Sequence, residues 1–173
     1  MPRLFFAIPI PFELRQKLVR GFPKEKFHGI RFTPIENLHI TIHFLGTTAE
    51  EKFERLIQST TTLIASTSSF EMRFDCFKII MKERKPIMIW AQFEESGAFE
   101  KLALQLREAF PTEEKRKPNP HATLARIKQL KRLPFELPEA NPFSFVVDRL
   151  ELWESKLSSE GSRYLMLQSW KLS

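Results

Sequence analysis

The sequence predicts an α+β protein built of two similar lobes that face each other. Three observations carry this. Apolar strand-like runs alternate with amphipathic helical stretches along the chain. The order strand, helix, strand bearing His-x-Thr occurs twice. The two His-x-Thr segments, His39-Ile40-Thr41 and His121-Ala122-Thr123, stand close to half the chain apart. Residues 1–173 therefore read as one bilobal domain with an internal duplication, a length that suits a single ordinary domain. Hydrophobic residues make up 42% of the chain, which excludes a disordered polymer, and most of the 17 phenylalanines are expected in the core.

The elements follow in order. Leu4 to Ile10 is a compact apolar run and reads as a buried strand. Pro11 then opens a helix, since proline is tolerated in the first helical turn; Phe12, Leu14, Leu18 and Val19 recur at helical spacing, and Gly21 and Pro23 stop it. Asn37 to Gly46 shows strict alternation. Leu38, Ile40, Ile42 and Phe44 fall on one face and His39, Thr41 and His43 on the other. Thr48 reads as a cap, with Glu50 and Glu51 in the first turn of a helix running to about Ala65. Strands are expected at Phe70–Met81 and Ile87–Phe93, then a helix marked by Phe99, Leu102, Leu106 and Phe110. A polar, basic loop spans Pro111 to Pro120. His121 to Ile127 is a strand, and Phe143–Trp153 and Tyr164–Leu172 complete the set.

Charge and cysteine content narrow the function classes. The formal net charge is +6 and the pI about 9.6, which favours anionic partners such as nucleotides or nucleic acid. One cysteine, Cys76, permits neither an intrachain disulfide nor a cysteine-based zinc site. The first residues form an apolar run broken by Pro9 and Pro11, shorter than the roughly 20 residues of a membrane span and lacking a small-residue cleavage site. A cytoplasmic, monomeric protein with no membrane partner is expected.

The chemistry lies in the two histidine strands. Residues i and i+2 of a strand share a face about 6.6 Å apart. Each strand thus offers an imidazole beside a hydroxyl, His39 with Thr41 and His121 with Thr123. Facing each other across a cleft, the imidazoles would flank a bound phosphate and the hydroxyls hold its free oxygens. One neutral histidine removes a proton from water and the other, protonated, hands one to the departing sugar oxygen. Such a pair needs no metal or other cofactor, and a strained 2′,3′-cyclic phosphate suits it. His39 and His43 cannot share a zinc ion, because four residues of strand span roughly 13 Å; His43 is expected in the cleft lining or exposed, and His28 on the surface. Lys115, Arg116, Lys117, Arg126, Lys128, Lys131 and Arg132 surround the second histidine. Arg126 faces away from His121 by strict alternation, and only a bulge or the strand end would re-aim it toward phosphate or base. Two further readings stay open: a non-catalytic RNA or nucleotide-binding module, and an enzyme of the same chemistry acting on a small cyclic phosphate or a 2′-5′ oligonucleotide.

At these residues the sequence resembles the two-histidine phosphoesterase superfamily, in its RNA 2′,3′-cyclic phosphodiesterase branch, also called 2′-5′ RNA ligase. The resemblance rests on His39-Ile40-Thr41-Ile42 and His121-Ala122-Thr123-Leu124. It extends to Arg31-Phe32-Thr33-Pro34, Glu36-Asn37-Leu38, Phe44-Leu45-Gly46, Pro120, Ala125-Arg126, Arg3 to Ala7, Val147-Asp148-Arg149-Leu150 and Arg163-Tyr164. It implies two pseudo-symmetric lobes, each a mainly antiparallel sheet with helices on its outer side, and an active-site cleft between them. It implies opening of RNA 2′,3′-cyclic phosphate ends to 2′-phosphates without metal or ATP, with reversible 2′-5′ joining in some members. His39 would be the proton donor to the 3′ oxygen and His121 the acceptor that activates water. Thr41, Thr123, Arg126 and His43 would contact substrate. His43 stands where Arg or Lys is common, and Phe32 where Trp often stands.

Overall fold

A computed structural model describes the chain except residues 24, 26, 159 and 160. In order the elements are β1 (Arg3–Pro9), α1 (Phe12–Val19), β2 (Ile30–Phe32), a 3-10 turn (Ile35–Asn37) and β3 (His39–Thr47). A second 3-10 turn (Glu50–Lys52) leads into α2 (Phe53–Ile64). Then come β4 (Phe70–Lys82), β5 (Lys85–Phe93), α3 (Gly97–Ala109), β6 (His121–Ile127), β7 (Ser144–Val147), β8 (Arg149–Ser158) and β9 (Gly161–Lys171). The strands form two sheets, one in the order β3-β1-β8-β9 and the other β2-β6-β5-β4-β7, with antiparallel pairing throughout. The α+β, two-lobed architecture expected from the sequence is the one found.

Each sheet pairs its histidine strand with a strand that carries core residues, β1 beside β3 and β5 beside β6. In the first sheet β1 lies between β3 and β8, with Leu4 to Ile8 all buried. Leu4, Phe6 and Ile8 turn into the main core, while Phe5 and Ala7 turn to the other face and form a small separate apolar cluster with Trp153 and Tyr164. The main core is continuous through both sheets, joining Phe6, Ile40 and Leu152 to Met72, Phe93 and Leu124. Helix α3 contributes Phe99, Leu102, Ala103 and Leu106, one helical stripe, and packs on β3 and α2. The Ser96 hydroxyl accepts the Phe99 amide and caps its start.

Two expectations fail locally. Thr48 caps no helix: its hydroxyl donates to the Gly46 carbonyl, and the chain enters α2 through the 3-10 turn after Ala49. The stretch Phe143–Trp153 is two strands in two sheets. Val147 pairs with Phe70 and Arg149 with Lys171, so the chain changes sheet at Asp148. One glycine matters for the site: Gly29, at φ +81, brings its turn so near β6 that an added Cβ would collide with the Lys128 carbonyl. That approach lets Lys128 N–H donate to the Gly29 carbonyl and seats β2 beside β6.

Candidate active site

Strands β3 and β6 are the meeting place of the two sheets. Both carry the same irregularity. In the β1–β3 ladder Ala7 opposes Thr41 and Phe6 opposes His43, which leaves Ile42 as an extra residue. In the β5–β6 ladder Trp90 opposes Thr123 and Ile89 opposes Ala125, which leaves Leu124 as the extra residue. The bulge falls three residues after each histidine. Its effect shows in the burial: Ile42 and His43 are both buried and Phe44 is exposed, just as Leu124 and Ala125 are buried and Arg126 is exposed.

The bulges correct the reading of His43 and decide the one left open for Arg126. His43 does not line a cleft beside His39, nor is it exposed. It is 3% exposed, its Nε2–H donates to the Phe110 carbonyl at 2.7 Å, and it ties β3 to the end of α3. Burial chiefly, with Arg107 nearby, holds its pKa below the usual imidazole range. Arg126, by contrast, is re-aimed onto the face of His121 and Thr123, where it lies opposite Arg31 on β2 and Met88 on β5 and donates to the Met88 sulfur at 3.7 Å. His28 is exposed, as expected.

The two histidines are held alike. His39 Nδ1–H donates to the Asn37 carbonyl at 2.7 Å, and His121 Nδ1–H donates to the Asn119 carbonyl at 2.8 Å. Fixing the proton on Nδ1 leaves each Nε2 as the free base. The Thr41 hydroxyl lies 3.0 Å from Nε2 of His39 and donates to it. Both asparagines are braced. The Asn37 amide donates to the Ser162 carbonyl at 3.4 Å, and Arg15 donates to the Glu36 carbonyl at 3.0 Å. The Gln92 amide donates to Asn119 Oδ1 at 2.7 Å and reaches the Pro120 carbonyl at 2.9 Å. Thr33 steadies the bulge of β6, its N–H donating to the Leu124 carbonyl and its hydroxyl to the Thr123 carbonyl.

The ring environments differ. His39 sits among Phe5, Trp153 and Tyr164, with centroids 5.0, 4.8 and 5.2 Å away. This apolar setting pushes its pKa down to about 4, and the positive charge His121 can carry adds to the shift against the pull of the Asn37 carbonyl. His121 stacks on Trp90 at 3.7 Å and 20°. Its pKa is also lowered, by burial first and by Arg116, against the Asn119 carbonyl. Arg116 itself is paired with Glu114, and Lys117 with Glu95, so the basic loop is partly neutralised. Among the described residues no three His, Cys, Asp or Glu side chains gather as metal ligands, and no helix is long and apolar enough to cross a membrane.

Sequence reading passed over Asn37, Asn119, Trp90, Gln92 and the aromatic cluster around His39. One signal was available. Asn stands two residues before each histidine, so the repeated pattern is Asn-x-His-x-Thr.

A family profile described as the 2′-5′ RNA ligase superfamily matches residues 27–158. Proteins named RNA 2′,3′-cyclic phosphodiesterase are similar along most of their length. That of Thermus thermophilus is 30% identical over 98% of this chain and 90% of its own. That of Thermotoga maritima is 27% identical over 95% and 92%. Among solved structures, TT0787 of Thermus thermophilus superposes with a TM-score of 0.81 at 28% identity, covering 98% of this chain and 97% of its own. Escherichia coli LigT complexed with 3′-AMP superposes with a TM-score of 0.80 at 26% identity, covering 100% and 99%.

Proposed function

Because the chain belongs to the 2′-5′ RNA ligase superfamily, we propose that it is an RNA 2′,3′-cyclic phosphodiesterase that opens cyclic phosphate ends to 2′-phosphates with His39 and His121 as its proton-transfer pair. The observation that carries this is the matched setting of the two imidazoles. They come from different sheets, on strands that meet, each with Nδ1–H on an asparagine carbonyl and a threonine two residues on.

In the reaction, water attacks phosphorus as the P–O3′ bond breaks. His121 Nε2 takes the proton of the water, and His39 Nε2–H gives its proton to O3′. The Thr41 and Thr123 hydroxyls donate to the non-bridging oxygens, and Arg126 offers a guanidinium to phosphate or base. With an RNA 5′-hydroxyl attacking in place of water, the same two transfers in the same sense would join ends through a 2′-5′ bond as P–O3′ breaks. Supplying an RNA with a free 5′-hydroxyl and analysing the linkage tests that joining reaction. The forward activity is tested with an RNA ended by a 2′,3′-cyclic phosphate: a 2′-phosphate is expected, and binding without product would instead favour a non-catalytic module.

A pH effect follows from the depressed imidazoles. The free enzyme works in the form with one proton on the pair, and both groups titrate below 6.5. Above that range kcat/KM falls as the donor loses its proton. Bound phosphate is negative and raises the His39 pKa, so the alkaline limb of kcat is expected at higher pH than that of kcat/KM. Rate profiles from pH 4 to 9 on a cyclic nucleotide check this, and coincident alkaline limbs would count against His39 as donor.

A further inference from the structure

The two histidines share their hydrogen bonding but not their ring contacts. None of the rings around His39 lies flat on it: Phe5 is inclined by 33°, Trp153 by 49° and Tyr164 by 88°. Among the described residues His121 has one aromatic neighbour, Trp90, nearly parallel and in face contact. Trp90 sits on β5 opposite Thr123, and its indole reaches the diagonal position to cover the imidazole.

What surrounds His121 makes that face matter. Among the described residues, the charged and titratable groups around it include Arg116 in the preceding loop and His39 on β3, with Arg126 on β6 itself and Arg31 on β2 farther along the sheet. Lys78 and Cys76 with Asp75 lie farther across on β4. On β5, Trp90 and Gln92 are neutral. Among the described residues, the groups that bear on its protonation are its own burial, the Asn119 carbonyl and Arg116, with no carboxylate among them. A positive imidazole there is met by one carbonyl and by the electron-rich face of an indole, the best aromatic partner for a cation. The residue choice points the same way. Trp90 Nε1 is buried without a hydrogen-bond partner, which costs stability, and a phenylalanine would fill much of the same room without that orphan donor.

We propose that Trp90 is a positioning residue for His121: its face fixes the imidazole plane and stabilises the charge that ring acquires on taking a proton from water. The assignment of a catalytic step to His121 rests on the function proposed above; the stack itself does not.

Trp90→Leu keeps an apolar side chain and removes the π face, while Trp90→Phe keeps a weaker one. With four histidines in the chain, the His121 resonance is identified by its loss in His121→Gln and titrated by NMR without substrate. It is expected to titrate roughly half a unit to one unit lower in Trp90→Leu, with Trp90→Phe in between. The acid limb of kcat/KM should move down with it, and kcat should fall several-fold with KM little changed. An unaltered His121 titration in both variants, with only a lower unfolding midpoint, would reduce Trp90 to packing and overturn the proposal. Full activity in His121→Gln would fault the catalytic reading, whereas the titration shift judges the stack separately.

Discussion

Replacing His121 by alanine is expected to lower turnover of a cyclic-ended RNA by about 10²–10⁴-fold, and replacing His39 to do the same, the range typical of a lost general base or acid. Each change removes an imidazole whose Nδ1 side is committed to a backbone carbonyl, and with it the Nε2 that faces the reaction in the proposed mechanism. The double variant should lose less than the product of the two single losses, because proton removal and proton delivery belong to one displacement. Steady-state kinetics of the three variants, with circular dichroism to show intact folding, decides this. Full activity in either single variant would end the two-histidine account.

The second large effect concerns the fold. Phe6→Ala should destabilise the protein by about 3–5 kcal/mol, a large share of the roughly 5–15 kcal/mol that holds an ordinary domain together. Phe6 is fully buried on β1, pairs across to His43 and Leu152, and touches the rings of Phe110 and Trp170. It therefore packs where both neighbours of β1, the end of α3 and β9 come together, and little there can collapse into the vacated space. Denaturant unfolding of the variant measures the loss. A change below about 1 kcal/mol, at the mild end of what core truncations cost, would mean that the region repacks.

Much of the fold was legible because strand and helix periodicities are local. The alternation at His39–Ile42 and the stripe Phe99, Leu102 and Leu106 survive intact in the structure. What alternation cannot reveal is where a partner strand forces in an extra residue. The bulges at Ile42 and Leu124 arise from pairing with β1 and β5, and they turn His43 inward and Arg126 outward. The break at Asp148 is equally non-local, since nothing in the run from Phe143 to Trp153 says that its halves pair with different sheets. The Trp90–His121 stack depends on the register of two strands more than thirty positions apart in sequence. We read the matching orders β3-β1-β8-β9 and β6-β5-β4-β7, with like bulges and like asparagine carbonyls, as the remains of an internal duplication.

The placement of β8 and β9 has a consequence for synthesis on the ribosome. β1 is made before β8, which covers one of its edges, and His39 receives Trp153 and Tyr164 only when those later strands have been made. The middle of the chain, β4 to β6, can pair as it appears. The strands that carry both histidines are therefore made before the aromatic rings that enclose the first of them.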